Sequence, residues 1–229
     1  MASLKSNRII FFGKINDEYS NLAFIFLKKY FPNSKKIMTK NIIGEKININ
    51  FKKFDCLISF KTKIIFKKKN LRDVKGYKLN FHTSLPDYPG SCGVNFSIYD
   101  KKRYFGTTVH HLNEKVDNGK IIYVKKQRIT KKNMNIKNLI VATYKLQLNV
   151  FKLFIKKFYK DRNFVHKSEV FYKNYRWNSK TYKLKDLKNL CKIPKNATNE
   201  KINRIISSCN FGDFKPYILK KGKKFYYLG

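Results

Sequence analysis

Three polar side chains between Leu79 and Ile122 differ in what they can do chemically. Asn80 is a neutral amide donor, His82 is a ring that titrates near neutrality, and Asp117 is a fixed acceptor. Asn80 and His82 stand two residues apart in YKLNFH, so on a strand they share one face. Both fall at the carboxyl end of that strand, where open α/β sheets hold their ligands. Asp117 lies downstream in a turn, Asp117-Asn118-Gly119. An amide, an imidazole and a carboxylate in one crevice can bind a developing negative charge and move a proton. On residue types alone a plainer reading stands beside this one. Asn-x-His can be an ordinary strand pair, and Asp in Asp-x-Gly an ordinary turn former.

These residues need a sheet to position them, and the hydrophobic pattern supplies one. Arg8–Phe12 reads as a buried strand ending at Gly13, and Asp17–Tyr30 as a helix stopped by Pro32. Lys36–Thr39 is a second strand candidate. Phe54–Phe60 is a third, apolar on both faces as a parallel strand requires. Tyr77–His82, Thr107–Leu112 and Ile121–Ile129 follow, the last two separated by the Asp-Asn-Gly turn. Asn135–Tyr159 is the longest helical candidate, with Leu139, Leu146, Val150, Leu153 and Phe154 near helical spacing, and should pack across the sheet. Strands interleaved with helices predict an α/β fold. After Tyr159 the texture changes to short aromatic segments, Val170–Trp177 and Lys180–Leu184, and a helix-like stretch from Asn199 to Ser207. The expected division is residues 1–159 as the catalytic domain and 160–229 as a small α+β appendage. There is no internal repeat.

The charge balance is extreme: 52 Lys and Arg against 14 acids, a formal charge of +38. Yet 45 of the bases are Lys and seven are Arg, and short basic runs such as Lys67–Lys69, Lys125–Lys126, Lys156–Lys157 and Lys223–Lys224 are scattered. A nucleic-acid groove favours the planar Arg fork, and a basic tail forms a block. Lys, Asn, Ile, Phe and Tyr make up 128 of the 229 residues, all of them residues of A/T-rich codons. A solvated lysine surface is therefore preferred over a nucleic-acid partner. No apolar stretch reaches membrane-span length, and Met1–Arg8 lacks an apolar signal segment, so the expected location is the cytoplasm. Cys56, Cys92, Cys191 and Cys209 show no Cys-x-x-Cys spacing, which argues for free thiols and against a zinc site; no metal is expected.

Four linked motifs, taken in order, resemble the formyltransferase family that uses 10-formyltetrahydrofolate. They are Asn80 and His82; Ser84-Leu85-Pro86 with Gly90; Gly106, Thr108 and His110; and Asp117 with Gly119, followed by Ile121 and Ile122. The resemblance spans Arg8 to Ile129. Two departures are visible: a single Leu85 where the family has two leucines, and Pro89-Gly90 in place of Arg-Gly. The second variant, with Cys92-Gly93 and Asn95-Phe96 after it, is similar to members that act on nucleotide-linked amino sugars.

The resemblance implies a Rossmann-like, mostly parallel sheet, with 10-formyltetrahydrofolate as co-substrate. It implies that Asn80 donates to the oxyanion, that His82 transfers the proton and adds a second oxyanion contact, and that Asp117 orients His82. It assigns His110 a structural role, while His111 and His166 have no functional reading and Cys92 is read as packing. It places the folate against Ser59, Phe60, Lys61, Ile64, Ile65 and Val116. The implied acceptor is a nucleotide-linked amino sugar, with dTDP-4-amino-4,6-dideoxyglucose the leading case, of the kind used for lipopolysaccharide O-antigen. Tyr88, Asn95, Tyr175 and Trp177 are the candidates to hold it; a small core or dimer contact is the alternative for the aromatics. The competing acceptors are methionyl-tRNA and glycinamide ribonucleotide. Seventy residues after Tyr159 are tight for the barrel of the tRNA enzymes, and Gly13-Lys14-Ile15-Asn16 lacks the phosphate-loop serine of the purine enzymes. A non-catalytic nucleic-acid-binding module is the alternative of a different class. A homodimer is expected.

Overall fold

The computed structural model describes residues 8–40, 42–43, 45–161 and 163–227. Of the stretch read as lacking a signal segment, all but Arg8 lies outside the described residues.

A six-stranded sheet forms the centre, in the order β2-β1-β3-β4-β5-β6. β1 (Ile9–Lys14), β2 (Lys35–Thr39), β3 (Cys56–Phe60) and β4 (Lys78–His82) run parallel; β5 (Tyr104–His111) and β6 (Ile121–Arg128) are antiparallel additions. β1 and β3 lie inside the sheet with helices on both faces, and all five residues of β3 are buried. That is why their sequences are continuously apolar. The first strand does not stop at Gly13 but continues to Lys14.

The helix α1 (Glu18–Tyr30) starts where Asp17 accepts the backbone N–H of Ser20, at 2.8 Å. The long α4 (Ile136–Lys160) starts on a similar cap, Asn135 to the Asn138 N–H. Its Phe151, Phe154, Ile155 and Phe158 pack with Phe11, Phe60 and Phe81 in the main core. Leu153, expected on that face, is instead exposed, because the buried stripe runs through 147, 151, 154 and 158. Gln147 of α4 donates to the Phe81 carbonyl, gripping β4 between Asn80 and His82.

Four shorter helices complete the layers: α2 (Lys68–Asp73), α3 (Gly93–Tyr99), α5 (Phe164–Phe171) and α6 (Leu184–Leu190). α7 (Asn199–Cys209) and the hairpin β7–β8 (Tyr217–Lys220, Lys223–Tyr226) follow. The C-terminal elements share a core with the rest: Leu187, Cys191, Ile205 and Cys209 pack on Cys92 and Tyr99 around α3. Arg204 caps the Tyr99 carbonyl, and the Asn95 amide donates to Ser208 O at 2.7 Å.

Candidate active site

β4 delivers two kinds of side chain by simple alternation. Leu79 and Phe81 enter the core, while Asn80 and His82 face the other way. β5 pairs antiparallel with β4 and places His110 directly opposite Asn80. The β5–β6 connection then returns Asp117 over both, with Asp117 in the left-handed region at φ 42°. The four side chains meet on the wall of a cavity of about 400 Å³.

Asp117 is the hub. Its Oδ1 lies 3.2 Å from the Asn80 amide nitrogen and 3.1 Å from His110 Nε2. Its Oδ2 accepts the Gly90 N–H at 2.7 Å and lies 3.1 Å from His82 Nδ1. Asp117 is only 8% exposed. Burial works against its ionisation, but the neighbouring His82 charge, His110 and the Gly90 N–H outweigh it and hold the carboxyl well below the usual carboxylate range.

His82 is buried as well, and burial pushes its ring below the ordinary histidine value against the pull of Asp117. These two tendencies oppose each other, since a fully depressed Asp117 needs a cation beside it. The burial of His82 decides for a neutral ring at neutral pH. Its Nε2 lies 3.0 Å from the Tyr88 carbonyl, which can only accept. Asp117 beside Nδ1 also only accepts, and as the charged acceptor it takes the proton of the neutral ring, Nδ1–H to Oδ2 at 3.1 Å. A second proton, on Nε2, makes an imidazolium beside its counter-charge. His110 Nδ1 donates to the His111 carbonyl, 2.8 Å away, which leaves Nε2 to accept from Asn80 at 3.0 Å.

The loop from Pro86 to Ser91 is clipped in place by the C-terminal part of the chain. Asn178 N–H binds the Pro86 carbonyl, Tyr182 N–H binds that of Pro89, and Ser91 N–H binds that of Tyr182. Gly90 has φ +93°, and a Cβ there would sit 2.2 Å from the Tyr182 carbonyl. Only glycine lets the backbone pass so close and still aim its N–H at Asp117.

The residues expected from the sequence divide clearly. Asn80, His82 and Asp117 are brought together. Ser59, Lys61, Ile64, Ile65 and Val116 line the same cavity. Phe60 does not: it points to the opposite face of β3 and is fully buried beside Phe11 and Phe151. Asn95 reaches the cavity wall, with its amide nitrogen committed to Ser208. Tyr88 turns away, giving its hydroxyl to Asp100 at 2.7 Å, and contributes its carbonyl to His82. Tyr175 lies outside the cavity, between Tyr172 and Lys126. Trp177 lies behind the histidines, packed with Leu85, Ile121 and Val124, so neither ring offers a stacking surface to this cavity. Cys92 packs as expected.

Two participants were not anticipated as such: His110, as a partner of Asn80 and Asp117, and the Gly90 N–H. Pairing of β4 with β5 would have revealed His110 by register alone. Lys61 is also more than a wall residue. Left-handed at φ 56°, it pairs with Asp17 at 2.5 Å, and its Nζ lies 3.4 Å from the centre of the Tyr144 ring. Burial lowers its affinity for the proton, while Asp17 opposes that shift.

Among the described residues no group of His, Cys, Asp and Glu is arranged to hold a metal ion, and no helix is long and apolar enough to cross a membrane. A search of curated protein sequences finds no match. Solved structures do match. A sugar N-formyltransferase from a Shewanella species has a TM-score of 0.70 at 20% identity, covering 96% of each chain. A 4-N formyltransferase from Francisella tularensis has a TM-score of 0.67 at 19% identity, again over 96% of each. The N-formyltransferase of Helicobacter canadensis, in complex with folinic acid and dTDP-3-aminofucose, has a TM-score of 0.69 at 19% identity, over 95% of this chain and 86% of that one. At such identities the likeness is one of fold. A family model described as formyl transferase matches residues 45–151. Asn80, His82, His110 and Asp117 all fall inside that match.

Proposed function

We propose that this protein is an N-formyltransferase that moves the formyl group of 10-formyltetrahydrofolate to the amine of a dTDP-linked amino sugar, with dTDP-4-amino-4,6-dideoxyglucose the leading acceptor. The observation that carries the reading is the buried, ionised Asp117, which ties an amide and two imidazoles to one cavity wall. Such a charge is costly to bury unless it does chemistry or is fully partnered, and groups perturbed in this way cluster at reacting centres.

The cavity suits the co-substrate. Ile64, Ile65 and Val116 offer apolar surface for a flat pterin, and Lys14 and Lys63 offer cations for anionic ends. The amine attacks the formyl carbon, the new C–N bond forms, the bond to the folate nitrogen breaks, and one proton passes from the amine to that nitrogen. Asn80 stands where an amide can donate to the formyl oxygen as it gains charge, an interaction that contributes on the order of 3 kcal/mol in other acyl transfers. His82 takes the amine proton and hands it to the departing folate nitrogen, and Asp117 stabilises the imidazolium formed between the two transfers. A positioned acid–base group of this kind typically contributes ~10²–10⁴-fold. Holding the two substrates together supplies much of the rest.

The acceptor class is supported by the extent of the likeness in fold: it covers 96% of this chain and 96% of each of two sugar N-formyltransferases. The test is to incubate the protein with 10-formyltetrahydrofolate and a panel of dTDP-3-amino and dTDP-4-amino sugars, GDP-perosamine, methionyl-tRNA and glycinamide ribonucleotide. Product is read by mass, as the gain of one CO. Turnover of the dTDP-4-amino sugar is expected; turnover with methionyl-tRNA alone sinks the proposal. Full activity after Asn80→Ala, His82→Ala and Asp117→Ala would leave the site assignment without support.

A further inference from the structure

We propose that Trp177 is a positioning residue of this site: its indole holds the rings of His82 and His110, and the turn behind Asp117, in one arrangement. The kinetic part of this proposal rests on the formyl-transfer reading; the structural part does not.

The indole lies edge-to-face with both imidazoles, at 5.6 Å and 74° from His82 and at 4.9 Å and 83° from His110. One ring thus touches both members of the histidine pair that Asp117 bridges. Its Nε1–H donates to the Gly119 carbonyl at 2.7 Å, two residues beyond Asp117. Gly119 is itself pressed against β5: a Cβ there would fall 1.7 Å from the His111 carbonyl. The turn is therefore held between β5 on one side and the indole N–H on the other. Leu85, Ile121, Val124 and Tyr172 surround the same indole, so the side of the histidines away from the cavity is dry.

The groups facing the histidines are few. Asp117 comes from the turn, the Tyr88 carbonyl from the loop, Asn80 from β4, the His111 carbonyl from β5, and Trp177 from the segment after α5. Asp117 alone can hold the rings by charge, but a carboxylate contact leaves their tilt free. The indole removes that freedom. Without it the space behind both rings opens to water, and the burial that keeps His82 neutral is relaxed.

The experiment compares wild type, Trp177→Phe and Trp177→Ala by side-chain NMR of the four histidines and by formyl-transfer kinetics. In Trp177→Ala the ring signals of His82 and His110 are expected to move while those of His111 and His166 stay. kcat should fall ~10-fold or more, as small misplacements of reacting groups do, with acceptor KM changed less than about threefold. The acid limb of the pH profile should rise toward the ordinary histidine value, and Trp177→Phe should recover most of kcat. Unmoved His82 and His110 signals, or a kcat within about twofold of wild type beside an active wild-type enzyme, overturn the proposal. If the wild type transfers no formyl group to any acceptor, the spectra still decide the positioning role and only the functional reading falls. If Trp177→Ala does not fold, Trp177→Phe decides: ring signals of His82 and His110 that move while those of His111 and His166 stay support the proposal, and unmoved signals overturn it.

Discussion

Asp117→Asn changes one atom and should damage both stability and catalysis. The carboxylate accepts on both oxygens: the Asn80 amide on Oδ1, with His110 Nε2 3.1 Å away, and the Gly90 N–H and His82 on Oδ2. An asparagine has one acceptor. If its oxygen serves Gly90, its NH₂ meets the Asn80 NH₂. If its oxygen serves Asn80, its NH₂ meets the Gly90 N–H. Either way a buried donor faces a donor, at about 1–3 kcal/mol, and the counter-charge to His82 is lost as well. The expected loss is about 2–4 kcal/mol, a large part of the ~5–15 kcal/mol that holds most domains folded. For a chain of this size that lowers Tm by roughly 5–15 °C. The pH dependence has a definite sign. A carboxyl depressed in the folded state stabilises above its unfolded value of about 3.9, and that contribution is lost as pH falls through the folded value. The gap between wild type and variant should be level between about pH 5 and 8 and narrow below about pH 4. Thermal or urea unfolding across pH measures it, and formyl transfer should fall ~10²–10⁴-fold in parallel. A variant as stable as wild type at neutral pH, with kcat within about threefold, would refute the hub role assigned to Asp117.

His82→Ala should lower kcat ~10²–10⁴-fold with little change in acceptor KM, since the ring acts on the proton more than on binding; a pure KM effect in steady-state kinetics would contradict this. Because burial depresses His82, the unfolded chain takes up a proton that the folded one resists, so stability should decline as pH drops below about 6.5, and His82→Phe should remove part of that slope in unfolding titrations. Gly90→Ala should cost about 2 kcal/mol or more, from its left-handed φ and the contact with the Tyr182 carbonyl, and should slow transfer through the lost Asp117 contact; an unchanged urea midpoint would show that the loop has room. Acceptor binding should weaken gently with salt in a titration series, because few of the 45 lysines face the cavity; a steep log–log slope would point to a polyphosphate partner.

Much of the frame was legible because it rests on periodicity. β1, β3, α1 and α4 follow from apolar runs, caps and helical spacing, and Asn80 and His82 share a face by parity. Parity also explains a miss: Ser59 and Lys61 share one face of β3 and its extension, so Phe60 had to enter the core. The short helices were hidden by their own start signals. α3 begins after a Pro-Gly-Ser-Cys stretch that reads as loop, with Cys92 at φ 65°. Trp177 was read as a stacking platform because its place depends on contacts with Gly119 and two strands far away in sequence. No local pattern records such contacts. Lys61 gave no sign of its Asp17 and Tyr144 partners for the same reason.

The ties between the Pro86–Ser91 loop and residues 178–182, and between Asn95 and Ser208, have a consequence for how the protein is made. Asn95 and Ser208 are 113 residues apart. Ribosomes release the chain from its N-terminus at ~5–20 residues per second. The strands and turn bearing Asn80, His82 and Asp117 therefore emerge and can pair while the segments that clip the Gly90 loop and support α3 do not yet exist. The loop that aims the Gly90 N–H at Asp117 stays unclipped until residues 178–182 have been made. Assembly of the site is thus a late event, limited by long-range closure rather than by the local folding of the sheet. A nascent chain holds the chemistry's residues without the geometry to use them.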